Sequence, residues 1–287
     1  MTNDNKSVAK AITIFLVVLL LCYGIGYWLI FRLERASPLM LSVGVAAMIT
    51  CLLIKRPIAS LGWQWGDWRV NWLNYFLPLA ISSAAYLVIW NIGMGGFYDV
   101  QFVETLQERY NLENWATFSL LLFHFLVSAT FSFVISIPSI VGEEIGWRGF
   151  LVPELAKIMS FSKVALLSGL AWAVFHWPLM FRGIYGVQGT PLAFQIAIFS
   201  LLIMATSIVM TYFRYKTGSI WPSVLFHGAG NIYAQQVFVP LTISNEQSVW
   251  YIDEFGAVPM LVTVVVAIYY WKKGVEEFSR NEQTNLR

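Results

Sequence analysis

Long apolar runs separated by short polar breaks organise this chain. Eight runs stand out, at roughly 10–31, 38–54, 73–94, 116–137, 161–181, 191–213, 220–240 and 255–271. A hydrocarbon core about 30 Å thick is crossed by about 20 apolar residues in a helix. The pattern therefore predicts an all-α, polytopic membrane protein with about eight transmembrane helices and an intramembrane polar site. The first run is longer than the apolar core of a signal peptide, and Arg32 and Arg35 follow it with no small-residue cleavage site, so it reads as a retained span. Pro138 and Gly142–Arg148 interrupt the fourth run, and a straight helix over 116–157 would be about 60 Å long. A break or tilt near Pro138 is expected there. The polar stretches 55–72 and 95–115 are loop-sized, with no internal repeat and no soluble domain. Residues 1–287 read as one integral membrane domain.

Composition narrows the classes. Of 287 residues, 58% are hydrophobic and 12% charged, against about 25% charged in an ordinary soluble domain. Too few polar residues are present to cover a soluble core. A cytosolic enzyme, a secreted disulfide scaffold and a nucleic-acid binder are excluded, and the partner of most of the surface is the lipid bilayer. Cys22 and Cys51 both fall in apolar runs, which argues against a disulfide or a cysteine-based metal site. The net charge of +2 says little, but its distribution does. With both termini on one side, that side receives 14 of the 18 Lys and Arg residues, including Lys55, Arg148, Lys157, Arg214, Lys272, Arg280 and Arg287. The other side receives Arg32, Arg35, Arg109 and Arg182, and its loops carry Asp99, Glu104, Asp253 and Glu254. Basic loops stay in the cytoplasm, so both termini are expected there, in a plasma membrane of bacterial type. The Trp-rich segment 62–68 with Trp72 reads as an interfacial anchor.

Ionisable groups inside a span are costly and mark candidate functional sites. Glu143, Glu144 and Arg148 lie in one such place, His176 in a second, His227 with Asn231 in a third, and His124 in a fourth. Glu144 and Arg148 are four residues apart and share a helix face, as do His227 and Asn231, and Trp172 and His176. Gly228 and Gly230 keep the surface around His227 open to a neighbouring helix or a substrate backbone. Measured from Lys163, Lys216 and Lys157, the groups His176, His227 and Glu143 lie about 16–21 Å deep. They could meet. His124, with only Ser128 as a polar neighbour on its face, reads as a packing residue, and Glu144 with Arg148 could be a purely structural pair.

Two chemistries use this set. In one, Glu143 is general base to a water that attacks a carbonyl, His176 holds that water, and His227 and Asn231 donate to the oxyanion. In the other, Glu143, His176 and His227 bind a divalent metal such as zinc, leaving a position for water. No His-Glu-x-x-His helix is present, and the donors are spread over three spans. A serine mechanism fits poorly, since no Gly-x-Ser-x-Gly turn occurs and Ser168 stands two turns from His176.

Glu143-Glu144-x-x-x-Arg148, an aromatic residue four before His176, and His227-x-x-x-Asn231 together resemble the CPBP family of intramembrane endopeptidases. These are the CAAX proteases and bacteriocin-processing enzymes, also described as Abi proteins. The motifs match in order over about 141–231, with a family-like core at about 116–240, and Trp172 stands where the family usually has Phe. The resemblance implies that Glu143 and His176 activate the water, that His227 and Asn231 stabilise the oxyanion, and that Glu144 and Arg148 brace the site. It implies a peptide or membrane-protein substrate, arriving from the bilayer or the cytoplasmic face. That substrate would be a prenylated CaaX segment or a peptide tied to bacteriocin immunity or maturation. No cofactor is favoured, with zinc on Glu143, His176 and His227 as the alternative. A catalytically silent scaffold or a proton-coupled transporter is the competing class; intact motifs speak against the former and the lack of a repeat against the latter.

Overall fold

A computed structural model of the chain describes residues 3–284, with side chains described over 5–278; Arg280 and Arg287 of the charge count lie outside the described side chains. The apolar runs form helices α1 (Asn3–Leu33), α2 (Ser37–Leu53) and α3 (Trp68–Asn91), then the amphipathic α4 (Val100–Tyr110). The long helical segment α5 (Thr117–Ala156) follows, then α6 (Phe161–Phe181) and α7 (Leu192–Thr217). Helix α8 (Trp221–Ile232) and helix α9 (Ala257–Thr284) complete the order. Local chemistry sets the ends. The Asp67 carboxylate accepts from Arg69 N at 2.7 Å to start α3, and Asp99 accepts from Gln101 N at 2.8 Å to start α4. Gly218, at φ 67°, ends α7 in the left-handed conformation, and Pro222 sits in the first turn of α8, where its missing N–H costs nothing.

Among the described residues the regular structure is helical apart from a two-residue antiparallel pairing of Gly96–Phe97 with Thr242–Ile243. Among the described residues, six helices are long and apolar enough to cross a membrane: α1, α3, α5, α6, α7 and α9. The second predicted run gives only the 17 residues of α2, about 25 Å of helix. The seventh gives α8, which continues through the π-helical turn Tyr233–Phe238. Nearly all of α8 is buried by protein rather than lipid.

The fourth run departs from expectation in a second way. Pro138 lies inside a regular helical stretch and not at a break. The chain stays helical from Thr117 to Ala156, with π-helical turns at Ser128–Ser132 and Ile145–Leu151. Such turns absorb an extra residue without ending the helix. Arg148, counted with the cytoplasmic charges, lies within the second π turn and is fully buried, so it belongs to the interior.

Helix α2 packs on α5, α6 on α7, and α8 between α3 and α5, with α9 closing against α3, α6 and α7. The contact of α2 with α5 is unusually close. A Cβ at Gly142 would stand 2.9 Å from Leu41 Cα, and one at Gly146 would stand 2.7 Å from the Val43 carbonyl oxygen. The small residues let the two backbones touch, which fixes the segment carrying Glu143 and Glu144 against α2. The Trp-rich stretch packs as a connected group: Trp65 meets both Trp68 and Trp221, and the Trp221 indole donates to the Trp63 carbonyl at 2.9 Å.

Candidate functional site

Three helices bring the predicted residues together. Glu143 and Glu144 end the regular part of α5, Trp172 and His176 lie on α6, and His227 and Asn231 lie on α8. Both neighbouring π turns abut the site: one begins at Ile145, the other at Tyr233. Gly228 meets the Phe133 ring, while Gly230 stays open and lines the cavity described below.

The hydrogen bonds form two layers. In the first, the indole N–H of Trp172 donates to Glu143 Oε2 at 2.7 Å, and His176 Nδ1 lies 3.0 Å from the Trp172 carbonyl oxygen. A carbonyl only accepts, so Nδ1 carries the proton and Nε2 of His176 is left with its lone pair. In the second, Arg148 Nη1 donates to Glu144 Oε1 at 3.1 Å, and the same oxygen stands 2.9 Å from His227 Nδ1. The Arg148 guanidinium lies over the Trp172 ring at 4.3 Å, and that ring meets His227 edge-on at 5.0 Å. Arg214 reaches in from α7 to donate to the Arg148 carbonyl at 2.7 Å. Glu143, Glu144 and Arg148 are all buried.

A cavity of about 350 Å³ opens onto the first layer. Glu143, Trp172, His176, His227 and Asn231 line one part of it, and apolar side chains such as Leu39, Phe175, Ile203 and Phe226 form much of its wall. Glu144 and Arg148 do not line it; they stand behind His227 and Trp172. His124 is elsewhere. It is buried, 2.9 Å from the Tyr110 hydroxyl and 2.7 Å from the Gln236 carbonyl oxygen.

Two features of the site escaped the sequence reading. The first is the polar end of Trp172, which counted only as an aromatic; a buried indole N–H needs an acceptor, and that requirement was the available signal. The second is a group in the same cavity, formed by Tyr185, Asp253 and Glu254 from two loops, with the Tyr185 ring 5.5 Å from that of His176. The two acids read as solvated loop charge. Here burial, and then the Asp253 charge, push the Glu254 carboxyl up to about 8, partly offset by the Tyr185 hydroxyl that bonds it. Burial likewise raises Asp253, against the stabilising Glu254 N–H, and holds Tyr185 well above the usual phenol range.

Among the described residues, no three His, Cys, Asp or Glu side chains are grouped as a metal ion requires.

Residues 125–233 match the family described as type II CAAX prenyl endopeptidase Rce1-like. The CAAX prenyl protease 2 of Methanococcus maripaludis is 30% identical over 110 residues, which are 37% of this chain and 36% of that protein. The chain thus spans about a third of the length of the curated relative it matches. All six polar residues that the sequence assigned to the site fall within 125–233, the stretch that is similar to the Rce1-like family and to that CAAX prenyl protease.

Proposed function

We propose that this protein is an intramembrane endopeptidase that hydrolyses a peptide bond with a water activated by Glu143 and His176. The observation that carries the reading is the convergence of Glu143, His176, His227 and Asn231, from three helices, on one apolar-walled cavity. With Oε2 held by Trp172, Glu143 has Oε1 left to take a proton, and His176 offers the lone pair of Nε2 to the same water. The water oxygen bonds to the scissile carbonyl carbon while its proton passes to Glu143. Charge develops on the carbonyl oxygen, where His227 Nε2–H and the Asn231 amide would donate, in a dry site where such donors act most strongly. The tetrahedral intermediate then breaks its C–N bond, the amine leaves with the proton from Glu143, and a carboxylic acid remains. No metal takes part in this scheme.

A substrate with an apolar anchor suits the cavity wall, and the matched relative is a CAAX prenyl protease by name. A C-terminal prenylated peptide arriving from the bilayer or the cytoplasmic face is therefore the favoured substrate, with unprenylated peptides, as in bacteriocin processing, the alternative. The bias of Lys and Arg supports cytoplasmic termini.

The test uses the full chain in lipid nanodiscs with two internally quenched peptides, one farnesylated at a C-terminal CaaX sequence and one not. Turnover of the farnesylated peptide, insensitive to chelator and lowered about 10²–10⁴-fold in Glu143→Gln, is expected. Near-parental turnover by Glu143→Gln would sink the assignment.

A further inference from the structure

Trp172 touches both groups to which the proposed reaction gives the water. Its indole N–H donates to Glu143 Oε2 at 2.7 Å, and its carbonyl oxygen accepts from His176 Nδ1 at 3.0 Å. The indole itself has little freedom. It is buried, the Arg148 guanidinium lies over its ring at 4.3 Å, and the His227 ring closes on it at 5.0 Å. An indole packed in this way aims its N–H in one direction, and a buried carboxylate bonded to it loses rotation about its own terminal torsion.

We infer that Trp172 is a positioning residue, whose indole N–H fixes the Glu143 carboxylate so that Oε1 faces the water held by His176. The inference rests on the hydrolytic reading above. Three consequences follow from the geometry. The N–H is a donor that neither of the other large aromatic side chains supplies here: phenylalanine offers none, and a tyrosine hydroxyl lies on a different axis. The contact also couples the two layers of the site, because the ring that holds Glu143 is itself held by Arg148 and His227. Finally, the contact is to the oxygen not used for proton transfer. Losing it should slow the chemical step and leave the apolar binding wall unchanged.

The experiment removes the N–H while keeping the ring. Trp172→Phe keeps an aromatic face for Arg148, and β-(3-benzothienyl)alanine introduced at position 172 keeps the full bicyclic shape with sulfur in place of N–H. Parent, both variants and Glu143→Gln are assayed in nanodiscs on the farnesylated CaaX peptide, with thermal unfolding measured beside them. Both N–H-deleted proteins should unfold near the parent temperature, with kcat lower by about tenfold and KM unchanged, the loss of one charge-assisted hydrogen bond. Parental kcat in the benzothienyl protein overturns the inference, including where Trp172→Phe is impaired, because the ring's shape alone would then explain the residue. A rise in KM with kcat intact overturns it too, by making Trp172 part of substrate binding. The reading of function fails separately, by an inactive parent or an active Glu143→Gln.

Discussion

Nδ1 of His227 stands 2.9 Å from Glu144 Oε1, the oxygen that also takes Arg148 Nη1 at 3.1 Å. A carboxylate only accepts, so the His227 proton sits on Nδ1. For Nε2 to donate to an oxyanion as well, His227 must be the doubly protonated imidazolium, with Glu144 as its counterion. Under the proposed scheme, Glu144 would then act on the chemistry through His227 as well as bracing the site. Glu144→Gln keeps the size of the side chain and removes the charge. It should lower kcat on the farnesylated peptide by at least about tenfold at constant KM. A Glu144→Gln protein with the parent's kcat would mean that His227 serves without that counterion.

Arg148 is held on three sides, by Glu144, by the Trp172 face and by the bond from Arg214 to its carbonyl. Removing its guanidinium leaves Glu144 buried with only His227 beside it. Breaking one side of a buried pair costs about 3–5 kcal/mol. Arg148→Ala should therefore unfold at a clearly lower temperature in detergent than Glu143→Gln does, and express less well. Equal melting of the two variants would show that the pair contributes little to the fold.

The close approach of α2 and α5 predicts the sign of a small change. In an exposed helix, Gly→Ala is favourable by about 0.5–1 kcal/mol. At Gly146 the added methyl would meet Val43, with its carbonyl oxygen at 2.7 Å and a γ-methyl nearer still. Backbone cannot yield as a side chain can, and overpacking of this kind costs about 1–3 kcal/mol. Gly146→Ala should lower the unfolding temperature and shift the Glu143–Glu144 segment enough to reduce activity. A more stable Gly146→Ala protein would show that the helices stand further apart than described.

Much of this site was legible in the sequence because charge in an apolar run is itself a signal. Glu143, Glu144, Arg148, His176, His227 and Asn231 stood out by type, and helical spacing paired them. What spacing could not give was the partner across helices. Nothing local says that Glu144 reaches His227, 83 positions away, or that Trp172 turns its N–H to Glu143. Hydropathy marked eight runs but could not tell a lipid-facing helix from one enclosed by protein, as α8 is. Pro138 signalled a break because proline removes a helical hydrogen bond, yet the chain continued through it, with π turns nearby.

Glu254 supplies a test of the loop-built wall of the cavity that is independent of turnover. Its carboxyl ordinarily titrates at 4.5 and is pushed up to about 8 by burial and then by Asp253, with the Tyr185 hydroxyl opposing. The folded state therefore binds this proton more tightly than the unfolded state does. The associated stability is complete below 4.5 and is lost as pH rises toward 8. Asp253 acts in the same sense, since burial raises it too. Glu254→Gln has no charge to bury, so it should melt close to the parent at pH 5 and a few degrees above it at pH 9. The three histidines are common to both proteins and cancel in the difference between them. Thermal unfolding of the pair in detergent, stepped from pH 5 to 9, measures that difference directly. A parent and variant that track each other throughout would place Glu254 in water instead of in the cavity wall.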